Sequence, residues 1–348
     1  MKNLSIFTRF TSKGASSRYR FFMYIDKLMA NDFNVEINSF FYQEYLHDKY
    51  LCQVVSIKKI IYSYIGRLFD ILKSSNNLYI EYEIFPKLPY FFEALLLKRK
   101  RYILNFDDDV WDNYKKSKLL KNKYDNLVKN ANGVIVANDY LYEKLKLLNE
   151  NIIKIPTVID LNDYNKKYEK FERFSIVWIG TPVTYKYIIS HSDIFKALAV
   201  EIDFNLLIIA DKSLESKKID GVNMMFYDWS TKTEVEILKR SHIGIMPLDY
   251  DVFSSGKSAF KLIQYLAAGI PSVATNLGEN RNVIENNKNG FLVNNTTEWI
   301  DAIKKLHDDK IVYDKIASKS LSTSKKFSIQ TVSYSCINFF VNIFQERV

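Results

Sequence analysis

Short runs of β-branched and aromatic residues alternate with longer stretches of helical periodicity along the whole 348-residue chain. In the first half LSIFTRF, FNVEINSFF, LYIEYEIF, YILNFD, GVIVAN and IIKIPT have the length and composition of buried strands. Amphipathic stretches separate them, notably residues 44–74 and 114–130. The polar segment DYNKKYEKFERF then reads as a linker, and beyond it SIVWIG, FNLLIIA, VNMMFYD, HIGIMPL, PSVATN and GFLV alternate with helices again. Such alternation implies parallel sheets covered by helices on both faces. Two such sets predict an α/β chain of two doubly wound, Rossmann-like domains facing a cleft. Their expected limits are 1–170 and 171–325, with an aromatic helix at about 328–346, in a tail of residues 326–348, packing back across the junction. Thr296 or Thr297 is the expected N-cap of the helix that follows the last strand.

Composition adds limits. With 47% hydrophobic and 15% aromatic residues the chain has apolar material for two cores. No stretch reaches the roughly 18 uncharged apolar residues of a membrane span. The first residues read as a strand rather than a signal peptide. Cys52 and Cys336 are far apart and lack a motif, which reads as reduced thiols in a cytoplasmic protein. None of the four His has metal-ligand spacing, so no metal is expected. The net charge of +9 belongs almost wholly to the first half, where residues 1–170 hold 28 Lys and Arg against 20 Asp and Glu. Its densest cluster, Lys98 to Arg101, is either a solvated turn or a basic edge suited to an anionic membrane surface. No nucleic-acid motif accompanies the charge, so nucleic acid is not an expected partner.

Candidate chemistry concentrates in the second half, which holds seven of the ten glycines. The stretch SSGKSAFKLIQYLAAGIPSVATN contains a GKS triplet, but a P-loop needs glycine where Asp251 stands. A helix over Lys257–Ala268, ended by Gly269 and Pro271, would instead set Lys257, Lys261 and Gln264 on one face. Lysines at a helix N-terminus oppose the helix dipole, so either they are solvated or an anion such as a diphosphate compensates them.

The longer segment GKSAFKLIQYLAAGIPSVATNLGENRNVIENNKNGFLV resembles the donor-binding region of the retaining GT-B glycosyltransferases of family 4. KGASSRYRF, LNFDDDVWD and IVWIGTPVTYKYI resemble, in order, further segments of a polysaccharide-assembly branch of that family, so the resemblance runs from about residue 5 to 330. It implies that Lys257 and Lys261 neutralise the diphosphate of a nucleotide-sugar donor, as catalysis of leaving-group departure without a metal. It also implies that Gly180, Thr181 and Thr184 donate hydrogen bonds toward phosphate or sugar, with Lys186 a weaker phosphate ligand. Many members carry two Glu eight positions apart where this chain has Gly256 and Gln264. Gln264 can still bond a ribose hydroxyl, whereas the sugar would have to be held by other groups, such as the backbone around Gly278, Glu279 and Asn280.

In the first half, Asp107, Asp108 and Asp109 follow a strand. They either cap the next segment or present a carboxylate to acceptor hydroxyls, with Asp107 the choice. They are distinct from the metal-binding D-x-D of the other glycosyltransferase fold. Gly14 and Ser17 lead into a helix carrying Arg18 and Arg20, one of which is expected to reach phosphate on the acceptor side, Arg18 preferred. The whole implies a cytoplasmic, metal-independent, retaining glycosyltransferase at the inner face of the membrane. It would need no cofactor and move a sugar from a nucleotide-sugar to a glycan or lipid-linked acceptor in O-antigen- or capsule-type assembly. A nucleotide-sugar 2-epimerase of the same fold and an inactive donor-binding subunit are the alternatives.

Overall fold

The computed structural model describes residues 1–50 and 54–345, and Cys52 lies outside them. The described residues form two compact units, one of Met1–Val158, Gly256–Ser258 and Ile329–Val348, the other of Ile159–Ser255 and Ala259–Ser328. Each is built on a six-stranded parallel sheet.

The first sheet has the order β2-β1-β3-β4-β5-β6, from strands Lys2–Thr8, Phe33–Ser39, Asn77–Glu81, Arg101–Phe106, Gly133–Val136 and Ile152–Lys154 (β1 to β6). Its helices are Ala15–Arg20, Ile25–Met29, Tyr45–Tyr50, Ile57–Lys73, Tyr90–Leu97, Lys123–Asn130 and Asp139–Leu145 (α1 to α7). One core holds the sheet to α4–α7 through residues such as Ile71, Leu97, Leu127 and Leu141. A second core, on the opposite side, gathers Phe21, Tyr24 and Leu28 with Val332, Cys336 and Phe340 of the last helix.

The second sheet has the order β12-β11-β10-β7-β8-β9, from Ser175–Ile179, Asn205–Ala210, Met224–Asp228, Ile243–Met246, Ser272–Thr275 and Phe291–Val293 (β7 to β12). Its helices are Lys186–Ser190, Ser192–Glu201, Thr231–Arg240, Val252–Ser255, Phe260–Ala268, Asn280–Val283, Thr296–Asp308 and Lys310–Ser324 (α8 to α15), and Ile329–Phe344 (α16) ends in the first unit. Two cores again flank the sheet, one around Trp178, Phe195 and Ile303, the other around Leu238, Leu262 and Ile263.

All twelve expected strands are present; the helices differ more. Of residues 114–130 only Lys123–Asn130 is α-helical. The stretch 44–74 holds two helices, α3 and α4. The α14 cap is Asn295, whose side chain accepts from the Glu298 N–H, in place of Thr296 or Thr297. The polar segment after Val158 is part of the second unit rather than a free linker: Tyr164 is buried, Phe171 N–H donates to Arg240 O, and Lys170 Nζ donates to Ser241 O. The unit boundary accordingly falls at 158/159, ahead of the expected 170/171.

Candidate active site

In doubly wound sheets ligands collect at the carboxyl ends of the strands where the strand order reverses. In the second unit the reversal lies between β7 and β10. The loop after β7 begins at Gly180, whose N–H donates to Ile209 O. A Cβ on Gly180 would lie 2.4 Å from the Trp178 indole and 2.8 Å from Thr184 Oγ1, so only glycine fits. Thr184 Oγ1 accepts from the Thr181 N–H at 3.1 Å and donates back to Thr181 O, tightening the turn. The Lys261 ammonium lies 5.6 Å from the centre of the same Trp178 ring. Gly180, Thr184 and Lys261 thus gather around one buried indole. Lys186 is exposed over the rings of Tyr187 and Phe253.

The helix expected to start at Lys257 starts at Phe260. Ala259 adopts a left-handed conformation, φ 53°, which ends any helical path from Lys257 to Lys261. Lys257, Lys261 and Gln264 therefore do not share a helical face. Gly269, at φ 69°, closes the helix as expected. Gln264 is buried and donates to Glu234 Oε1 at 2.6 Å, while Trp229 Nε1 donates to Glu234 Oε2. After β11, Gly278 (φ 52°) approaches Ser255 O so closely that a Cβ would lie 2.6 Å from it. Glu279 accepts from Asn282 Nδ2, and Asn280 Nδ2 donates to Thr275 O, so both side chains shape this loop.

In the first unit the reversal lies between β1 and β3. The loop after β1 turns at Gly14, where a Cβ would lie 2.5 Å from Phe10 Cβ, and α1 starts at Ala15 rather than Ser17. Ser17 Oγ donates to Glu81 Oε2 at 2.6 Å, and the Arg9 N–H donates to the same oxygen. Burial pushes the Glu81 carboxyl up to about 7, against the lowering by these two hydrogen bonds. Tyr82 follows at φ 62°, an unusual backbone for an aromatic residue. Its hydroxyl bonds Asp107 Oδ1 and lies 3.3 Å from Ser16 Oγ. Burial, then the Asp107 charge, push the Tyr82 phenol well above its usual range, so it stays protonated as the donor.

Asp109 has a different role. It accepts from the Trp111 N–H and pairs with Lys144 at 2.7 Å, so its carboxylate holds the bend that leads out of β4. Asn138 Nδ2 donates to Gly256 O at 2.8 Å, and a Cβ on Gly256 would lie 2.9 Å from Asp109 Cβ. The Gly256–Ser258 segment, with half-buried to buried residues around Lys257, is thereby fixed to the ends of β4 and β5. Arg20 is buried, with Nε donating to Asn105 and Nη1 to Ile155 O, whereas Arg18 is partly exposed, its guanidinium over the Tyr19 ring. Among the described residues no three His, Cys, Asp or Glu side chains gather as a metal-binding set.

The fold and these loops can be compared with known proteins. Residues 173–309 match the family model described as glycosyl transferases group 1. The chain carries a glycosyl transferases group 1 domain. No curated protein matches this chain by sequence. Among solved structures it is similar to a sucrose-phosphate synthase from Thermosynechococcus elongatus, at 10% identity, 99% coverage of both chains and a TM-score of 0.70. A glycosyltransferase from Rickettsia africae gives 15% identity, 99% coverage of both chains and a TM-score of 0.68. The Anabaena protein HepE, solved with UDP and glucose, gives 12% identity over 98% of this chain and 100% of its own, with a TM-score of 0.68. At these identities the shared property is the GT-B fold.

Sequence reasoning missed Trp178, Glu234, Glu81 and Tyr82. Trp178, one residue before the end of β7, reads as core, and Glu81, which ends β3, as a strand terminus. What distinguishes them is spatial, and only the positive φ of Tyr82 sets that residue apart from an ordinary aromatic.

Proposed function

We propose that the protein is a retaining, metal-independent glycosyltransferase that takes a nucleotide-sugar donor and a glycan or lipid-linked acceptor, in O-antigen- or capsule-type polysaccharide assembly at a membrane surface. The observation that carries the reading is the Lys261 ammonium held beside the Gly180–Thr184 turn, at the strand-order reversal of a glycosyl transferases group 1 domain. As the donor's sugar–phosphate bond breaks, negative charge grows on the departing diphosphate. A fixed ammonium there stabilises the transition state more than the ground state. Lys261 and Lys257 take this role, and the backbone around Gly180, Gly278 and Asn280 orients phosphate and sugar. Asp107, held by the Tyr82 hydroxyl, takes the acceptor hydroxyl's proton, and Arg18 meets acceptor phosphate. UDP is the first nucleotide to test because HepE was solved with it.

The test is a panel of nucleotide sugars screened by thermal shift, since a donor stabilises in proportion to its affinity. Transfer to lipid-linked acceptors is then followed, with and without EDTA, and the product anomer is assigned by NMR. The expected product keeps the donor's anomeric configuration and forms with EDTA present. An inverted product, loss of rate with EDTA, or an epimerised sugar from donor alone would refute the corresponding part of the reading.

A further inference from the structure

Helix α4 has two apolar faces, and the core uses one. Ile60, Tyr64, Leu68 and Ile71, at helical spacing, pack into the first unit, where Tyr64 OH also donates to Pro86 O at 2.6 Å. Rotated from that row by about a quarter turn to a third of a turn, Ile57, Ile61, Ile65, Phe69 and Leu72 form a second row, with exposures of 47 to 76%. The neighbouring helix repeats the feature: Phe91 and Leu95 of α5 are 72 and 74% exposed, one helical turn apart. The two helices lie side by side. The rings of Tyr64 and Phe92 both pack on Phe85, and Lys100 Nζ, after α5, donates to Ser74 O, after α4. Isolated surface hydrophobics are ordinary, but rows of exposed apolar side chains at helical spacing on two helices that cover one core mark an interaction surface.

The charges around the strip select its occupant. Lys58 and Lys73 stand at the two ends of α4, and Lys98 and Arg99 at the end of α5, all exposed. Of the two carboxylates on these helices, Glu93 is buried and Asp70 is half-buried. A second copy of this chain docked face to face would set the cationic rim against itself. An anionic bilayer surface accepts both the rim and the apolar row, because flat amphipathic helices sink their apolar side chains among lipid headgroups while Lys and Arg meet lipid phosphates. Among the described residues no helix is long and apolar enough to cross a membrane. We propose that the outer face of α4 and α5 docks this protein on the surface of an anionic lipid bilayer. The proposal deepens the membrane part of the function proposed above.

The test is flotation of the full chain with vesicles of phosphatidylcholine plus phosphatidylglycerol, or of phosphatidylcholine alone, without donor or acceptor. Failure here leaves the sugar-transfer reading standing, and failure of transfer leaves this one standing. The expected result is binding to the anionic vesicles only, weakened by salt. Ile61→Glu with Phe69→Glu should reduce it by about tenfold or more at an unchanged melting temperature. Lys73→Gln with Lys98→Gln should reduce it by about fivefold per cation removed. As a second measurement, Phe69→Trp should show blue-shifted emission on addition of anionic vesicles. No binding to anionic vesicles, unchanged binding of the double glutamate variant, or no emission shift would overturn the proposal. So would a wild-type dimer that the same glutamates convert to monomer, since the strip would then belong to a second copy.

Discussion

At the residue scale, Lys261 tests the proposed chemistry and Glu81 the electrostatics of the first unit. Lys261 is placed by the Trp178 ring but is not part of a core, so Lys261→Ala should lower kcat by about 10²- to 10³-fold. Its melting temperature should match that of the wild type, and an unchanged kcat in a steady-state assay would remove it from the mechanism. Glu81 gives a pH signature. Its carboxyl titrates near about 7 in the folded chain against 4.5 when unperturbed, so between those values the folded state holds a proton that the unfolded state has released. Its contribution is therefore fully present below about 4.5 and is lost as pH rises to about 7, by on the order of 3 kcal/mol. Denaturant titrations of wild type and Glu81→Gln should show their stability difference drifting in that sense and flattening above about 7. His242, pushed down to about 4 by burial, has the opposite slope and is common to both proteins.

At the element scale, one buried ion cluster ties β3, α5 and α6 together. Lys123 Nζ lies 2.6 Å from Glu83 and 2.7 Å from Glu93, and donates to Phe85 O; Tyr114 and Tyr124 also donate to Glu83. Glu93 in turn accepts from the N–H groups of Ile84 and Phe85, fixing the chain that follows Tyr82. Burial raises the Glu93 carboxyl while Lys123 pulls it down. Lys123→Met would strand two carboxyls in the core, so urea unfolding should show a loss of about 3–5 kcal/mol. The strand elements were legible because short β-branched runs bounded by turn residues have few other uses. Lys257 was misread because amphipathic spacing over 257–264 looks the same whether or not a residue between takes φ 53°. The charge pattern of Lys123, Glu83 and Glu93 was equally opaque, since their separation in sequence carries no sign of a shared cavity.

For the whole molecule, α16 is the clearest long-range consequence of the chain's path. It closes the second core of the first unit with Val332, Cys336, Phe340 and Phe344. Burial pushes the Cys336 thiol up to about 12, so it is both inaccessible and protonated. In a Cys52→Ser background, Cys336 should fail to react with a thiol reagent under native conditions and react fully in denaturant. Rapid native reaction would mean that α16 leaves its core. The apolar outer row on α4 belongs to this scale too, because periodicity shows that a residue is apolar but not which of two faces the core takes.

The sequence by itself determined the α/β class, two six-stranded sheets and the strands, because these depend on local periodicity and on residues close together in the chain. The tertiary structure alone decided that Ala259 separates the two lysines, that Gln264 meets Glu234, and that Arg20 is internal while Arg18 is not. It also decided that Tyr82 is twisted to hold Asp107. These depend on contacts between residues up to 135 positions apart, such as Arg20 with Ile155 O, whose energies no local pattern contains.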